Sequence, residues 1–239
     1  MLNYIIILII CIIIFYYIVY KVGNKSEQSV NNYISKCWID TKLYPEAEYI
    51  YQNRNKIKKE LIHILSSNKW SIWSEDYKTT PIFSEMNNKD ILNRINNNSG
   101  KINSGNTPAW RLYGLILNRE ILETAKECPE TLKILLNSSN NILYAGFSLL
   151  EPKCNIGKHR DYNNTFYRLQ IPLIIPYENN IKTDNNITIN DNLAVLQVED
   201  DYRIYKSTEY FIFDDTCYHN AWNNTNQNRI VLIVDLLKI

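Results

Sequence analysis

From residue 110 onward, apolar positions recur at every second residue in short runs, the period of a half-buried strand. Six stretches carry it: WRLYGLIL (110–117), ILYAGFSLL (142–150), FYRLQIPLII (166–175), LAVLQV (193–198), EYFIFDD (209–215) and RIVLIVDLL (229–237). Turn-forming clusters separate them. One short helix is predicted among them, at PETLKILLN (129–137). Earlier in the chain the step is longer. In PEAEYIYQNRNKIKKELIHILSS, Ile50, Ile57, Leu61 and Ile64 recur as one face of a helix would, with Pro45 at a first helical position and Glu46 and Glu48 in the first turn. His63 falls on this helix and reads as a surface or packing residue. Many short strands with few helices predict a mainly β fold, a sandwich or barrel with helices packed outside.

The first residues differ in kind. LNYIIILIICIIIFYYIVY, Leu2 to Tyr20, carries no charge and is followed by Lys21 and Lys25. About twenty apolar residues at helical rise cross a bilayer core, so a single-pass N-terminal transmembrane anchor is expected. A cleaved signal peptide fits less well, because there is no basic n-region and no small-residue cleavage site. The two lysines favour a cytosolic domain by the positive-inside rule, too few charges to fix the orientation. The expected organisation is an anchor at 1–22, a polar connector at 23–44, a helical and loop support region at 45–107, and a β domain at 108–239. Within the support region, 87–107 is rich in Asn, Ser and Gly and reads as a long loop.

Charge narrows the partners. The formal net charge is +1, and no Lys/Arg stripe dominates any stretch, so a nucleic-acid footprint is absent. Abundant Asn, Ile, Lys and Tyr read as coding bias of an AT-rich genome, which takes weight from sequons such as Asn163-Asn164-Thr165. The five cysteines (Cys11, Cys37, Cys128, Cys154 and Cys217) are odd in number without C-x-x-C spacing. Buried, reduced cysteines are expected rather than a disulfide framework or a thiolate zinc site.

The chemistry gathers at KHRD. On an extended chain His159 and Asp161 project from the same face. His219 follows sixty positions later, at the end of the EYFIFDD strand and the turn TCYH. Two His and one carboxylate in the order H-x-D…H match the facial triad that holds non-haem Fe(II) with open positions. A surface Asp–His hydrogen bond is the plainer reading of the pair alone. Arg229, ten residues after His219, opens RIVLIVD. That strand is expected to return beside the one leading to His219 and to aim a guanidinium fork, the natural partner of a dicarboxylate, into the same cavity.

These motifs, in this order, resemble the aspartyl/asparaginyl β-hydroxylase family of Fe(II)/2-oxoglutarate oxygenases over roughly residues 108–237. The Trp-containing strand WRLYGLIL, the CPET of Cys128 to Thr131 with the helix after it, FSLLEP (147–152), KHRD, RLQIPL (168–173), FIFDDTCYHNAWNNT (211–225) and RIVLIVD (229–235) carry the likeness. The resemblance implies a double-stranded β-helix, a cupin-like jelly roll. It also implies Fe(II) held by His159, Asp161 and His219, and 2-oxoglutarate held by Ser148, Arg168 and Arg229. Gln170 stands where a His often lies near the co-substrate; it can donate a hydrogen bond with different geometry. Trp222 and Asp214 or Asp215 are candidate supports for the second histidine, though a core Trp and a turn-capping Asp are equally adequate readings. Asp161 itself resembles the lipid A acyl-chain hydroxylases of the same superfamily, since other members carry Gly there. Residues 177–208 look longer than a family connection.

The implied reaction consumes 2-oxoglutarate and O2 and hydroxylates a C–H bond. The family implies the β-carbon of Asp or Asn in a polypeptide; the anchor and His-x-Asp also fit a lipid acyl chain. Lys153, Lys158 and Arg160 are candidate positive groups for an acidic substrate, or a solvated rim. A non-catalytic β-barrel binding module and a zinc hydrolase are the readings from other classes.

Overall fold

The computed structural model describes Tyr17 and residues 37–72, 110–162, 164–176 and 193–238. The chain divides into two compact units, Met1–Lys36 and Cys37–Ile239, and the account below concerns the second. The expected anchor, apart from Tyr17, and the 87–107 loop lie outside the described residues. Among the described residues no helix is long and apolar enough to cross a membrane.

The predicted helix over 45–67 is two helices, α1 (Pro45–Gln52) and α2 (Arg54–Ile64). Asn53 breaks it: its ψ of 5° leaves the helical basin, and its side chain donates to the Tyr49 carbonyl. Pro45 starts α1 as expected, and His63 is exposed. The third helix, α3 (Pro129–Ser138), also starts on a proline. Its first turn is tied to α2, because Glu60 accepts from the Glu130 and Thr131 backbone amides and from the Thr131 hydroxyl.

Eleven strands follow one another among the described residues: β1 (Ser71–Ile72), β2 (Trp110–Leu117), β3 (Glu120–Ile121), β4 (Ile142–Leu150), β5 (Cys154–His159), β6 (Phe166–Ile174), β7 (Ala194–Val198), β8 (Asp201–Ile204), β9 (Phe211–Phe213), β10 (His219–Asn223) and β11 (Arg229–Leu237). All pair antiparallel. The large sheet runs β1-β2-β4-β11-β6-β9, with β3 on β2; the small sheet runs β5-β10-β7-β8. From β4 to β7 each strand joins the opposite sheet to the one before, and the last strand pairs with both β4 and β6. That is jelly-roll order. The 177–208 stretch is not simply a connection, since it contains the β7–β8 hairpin.

Alternation along the large sheet sorts its side chains. One face carries Phe147, Leu149, Leu169, Ile171, Leu232 and Val234 and packs on Ile50, Ile57 and Leu61 of the helices. Burying each such side chain contributes about 1.5–3 kcal/mol. The other face carries Leu150, Phe211, Phe213, Val231 and Ile233 and meets Ile156, Leu196, Val198 and Ala221 of the small sheet. The site lies in this second layer. Gly114 and Gly146 are register partners, and a Cβ on Gly146 would meet the Tyr113 carbonyl oxygen at 2.8 Å.

The edge of β9 is covered. The Ile39 amide donates to Ile212 and the Asp214 amide to Cys37, at 2.9 and 2.8 Å, while Trp38 bridges to Phe213. Cys37 is also bonded to Cys217. The expectation of reduced cysteines is therefore corrected for this pair. Their 180-residue separation is invisible to spacing arguments, and the fold alone brings them together. Cys128 and Cys154 take no part in a disulfide.

Candidate metal and co-substrate site

His159 and His219 are register partners across β5 and β10, with ring centroids 4.2 Å apart. A bulge makes this possible. Ala221 pairs with Ile156 but His219 pairs with His159, so β5 carries one extra residue between the two pairs. Without it, a residue three positions from the inward-facing Ile156 would point outward; the bulge turns His159 back toward the interior.

Each ring is oriented the same way. His159 Nδ1 lies 2.7 Å from the Gly157 carbonyl and His219 Nδ1 lies 3.0 Å from the Cys217 carbonyl. A carbonyl only accepts, so both Nδ1 atoms carry the proton and Nε2 is the basic nitrogen of each ring. Burial pulls both imidazole pKa values down, and for His219 the nearby His159 adds to it. Neutral rings with one fixed tautomer are the form a metal binds.

Asp215 faces His219. Its Oδ1 lies 3.1 Å from His219 Nε2 but accepts no hydrogen bond, and its Oδ2 pairs with Arg168 Nη1 at 2.7 Å. Two lone-pair atoms in contact inside a buried site need a cation or a proton between them. Burial raises the Asp215 pKa to about 7, opposed by Arg168 and reinforced by Asp235 and Asp161. Asp214, by contrast, caps the turn through Thr216 and pairs with Lys238. Of the two candidate supports, Asp215 reaches the histidine. Trp222 faces away and meets the Tyr202 ring edge-on.

Asp161 is buried, and its amide donates to the Asp215 carbonyl at 2.8 Å, so the chain after β5 is tied to the chain after β9. Its side chain lines a cavity with Arg168 and Asp235. The ligand atoms of His159, Asp161 and His219 do not all lie within 4.8 Å of one another. The trio that meets that distance among the described residues is Cys37, Glu199 and Cys217. With both sulfurs in the disulfide, that trio offers no thiolate.

The other expected residues line the large sheet. Arg229 is 1% exposed, its guanidinium over the Tyr205 ring at 4.9 Å, and its Nε has no hydrogen-bond partner. No ion pair reaches it among the described residues, and burial pulls its pKa down. Gln170 Oε1 accepts from the Tyr205 hydroxyl, and Ser148 Oγ accepts from Trp110 Nε1 at 2.9 Å. Tyr205 thus joins Gln170 and Arg229 in one nook; no motif in the sequence marked it. The expectation that β11 returns beside β9 is corrected: β6 lies between them in the sheet. Arg229 reaches the interior as a member of the sheet opposite His219. Arg168 is engaged otherwise: it pairs with Asp215 and Asp235, whose charges hold its pKa up against burial.

Neutral imidazoles, an unsatisfied carboxylate oxygen on one of them, and a buried unpaired guanidinium suit a metal cation and an anionic co-substrate. Comparison with known proteins agrees with the class. The Aspartyl/Asparaginyl beta-hydroxylase family profile matches residues 51–238, and the chain belongs to that family. The match begins in α1, well before residue 108, where the motifs begin. An ornithine lipid ester-linked acyl 2-hydroxylase from Rhizobium tropici is 32% identical over 130 residues, spanning 54% of this chain and 42% of that protein. The chain therefore matches less than half of that relative's length. Among solved structures, a predicted oxalate decarboxylase from Thermotoga maritima has a TM-score of 0.34 at 14% identity, covering 54% of this chain and 82% of that one. The Schizosaccharomyces pombe Cnp3 cupin domain has a TM-score of 0.33 at 8% identity, covering 54% and 65%.

Proposed function

We propose that this hydroxylase-family protein is an Fe(II)/2-oxoglutarate-dependent enzyme that hydroxylates a lipid acyl chain. The observation that carries the co-substrate is Arg229, a buried guanidinium whose Nε has no partner. A buried cation without an anion is costly, and the far carboxylate of 2-oxoglutarate would satisfy it. Ser148 and Gln170 line the same interior, and Tyr205 positions Gln170 and Arg229. His159 and His219 would offer Nε2 to the iron, with Asp161 as the carboxylate, the Cys217 carbonyl holding His219 from behind at Nδ1, and Asp215 lying on the metal side beside Nε2. When bound, iron with 2-oxoglutarate and O2 supplies an oxidant able to replace an unactivated C–H by C–OH, releasing succinate and CO2. The chain's own part is orientation: carbonyls fix both imidazoles, and the two sheets exclude water.

The substrate reading turns on charge. An aspartyl side chain needs a cation to receive it. Arg168, the cation lining the site beside Asp161, is already committed to Asp215 and Asp235. Three carboxylates around one guanidinium disfavour an acidic substrate and tolerate a neutral chain. The Rhizobium relative's lipid substrate supports the same reading, as does the apolar Leu2–Tyr20 run, which we propose anchors the enzyme in a membrane. A polypeptide substrate is the second reading, favoured by exposed Lys158 and Arg160 near His159. Both cations, however, lie over aromatic rings, Lys158 over Tyr218 and Arg160 over Tyr162 and Tyr218.

The test is succinate release with Fe(II) and 2-oxoglutarate, alongside mass spectrometry of lipids and proteins for the gain of one oxygen. His219→Ala should abolish turnover, and Arg229→Ala should chiefly raise the 2-oxoglutarate requirement. Undiminished turnover in His219→Ala defeats the assignment; oxygen gained on protein but not on lipid selects the second reading.

A further inference from the structure

We infer that the groove opening beside Asp161 on the inner face of the large sheet is the channel for one hydrocarbon chain, with Leu117 and Leu143 at its far end. The inference rests on the acyl-chain reading above and assigns it residues. The groove has an empty volume of about 680 Å³, counting the part open to solvent. Its charged members, Asp161, Arg168 and Asp235, include the ion pair already described. Asn118 and Tyr144 add an amide and a hydroxyl, and the remaining wall is apolar: Trp110, Leu112, Leu117, Leu143, Phe166 and Ile233.

Three observations fix the occupant. First, the groove shares Asp161 and Arg168 with the candidate site, so a chain lying in it passes beside that site. Second, the groove's cation is paired with Asp235 and Asp215 and is not available to hold a charged ligand. Third, Trp110 and Leu143 are only half-buried, so the wall is open to an entering chain without unfolding. A neutral alkyl segment gains from such a wall through burial alone, about fourfold in affinity for each methylene covered. A polypeptide backbone laid in the same groove would meet few uncharged polar partners beyond Asn118 and Tyr144 and would leave most of its amides against leucine and phenylalanine.

Trp110 makes the groove readable, because a heavy atom in the channel quenches its fluorescence. The detergent-solubilised full chain is titrated with a length series of bromoalkan-1-ols, which are neutral and carry bromine at the chain end. The expected result is saturable quenching that tightens with chain length, is largely lost in Trp110→Phe, and weakens at least tenfold in Leu143→Arg. Cooperative thermal unfolding checks the fold of each variant, and Leu143→Gln replaces the arginine if that variant fails to fold. Quenching that is linear in probe, or equally strong in Trp110→Phe, or unchanged by the folded Leu143 variant, overturns the groove. The two claims separate. If lipids gain oxygen while the groove variants bind the probe normally, the groove assignment falls and the acyl reading stands. If the probe binds as expected but no lipid gains oxygen, the acyl reading falls and the apolar channel stands.

Discussion

Arg168 and Asp235 face each other across β6 and β11 as register partners, and the guanidinium donates to both carboxylate oxygens, at 2.9 and 3.0 Å. Asp215 takes a third contact on Arg168 Nη1. Truncating the cation strands two buried carboxylates, the expensive way to break such a pair. Arg168→Leu should lose about 3–5 kcal/mol of unfolding free energy in urea titration. The double variant Arg168→Leu/Asp235→Leu should recover part of that loss.

Arg229 should behave in the opposite sense. Its burial with only the Tyr205 ring against it, and no ion pair among the described residues, makes it a stability liability in the ligand-free protein. Arg229→Met keeps the volume and removes the charge. Differential scanning calorimetry without co-substrate should show an unchanged or higher Tm, by about 1–2 kcal/mol equivalent. Titration calorimetry with 2-oxoglutarate on the Mn(II)-loaded variant should show at least a tenfold weaker Kd. A lower Tm together with an unchanged Kd counts against the co-substrate role.

Metal affinity should depend on pH through Asp215. Its pKa is raised to about 7, chiefly by burial, so near neutrality a proton occupies the space against His219 Nε2. A metal taking that nitrogen must expel it. Mn(II) affinity, measured by titration calorimetry, should therefore rise with pH up to about 7 and flatten above. The imidazoles, with pKa values pulled down, limit binding only on the acid side of their ordinary value. In Asp215→Asn the rise across neutrality should disappear.

The Cys37–Cys217 bond closes a loop spanning 180 residues and ends two positions before His219. Cys37→Ser should cost about 2–5 kcal/mol in urea unfolding, and reductant should act on the natural chain alone. Because the Cys217 carbonyl orients the His219 ring, Mn(II) binding should weaken in parallel.

Gly146→Ala should lose at least about 1–3 kcal/mol, because its Cβ would meet the Tyr113 carbonyl oxygen at 2.8 Å as well as the Tyr144 hydroxyl, and the backbone atom cannot swing aside as a side chain can. Thermal unfolding measures it, and a loss below that range would mean that β2 can shift away from β4.

Long strands were legible in the sequence because both of their faces are apolar or alternate cleanly. Strands β4, β6 and β11 fall within a residue of the runs read from periodicity. Strands β5, β8 and β10 were missed for a physical reason. CNIGKH, DYRI and HNAWN carry polar groups, His159 and His219 among them, where a core strand would carry Val or Ile. The two histidines could be picked out because His63 is plainly a helix surface residue. Their inward aim depends on a bulge that no periodicity reveals. Asp235 reads as an ordinary strand residue until register sets it opposite Arg168, and Tyr205 becomes part of the site only when β8 pairs on β7.

The clasp between Cys37 and Cys217 also constrains when the site can mature. During synthesis the two sulfurs leave the ribosome 180 residues apart, the first of them well ahead of its mate. The histidine turn cannot be locked until all 180 of those residues have been made. Any earlier pairing of Cys37 with Cys128 or Cys154 would have to be undone by attack of a thiolate on that disulfide before Cys37 could reach Cys217.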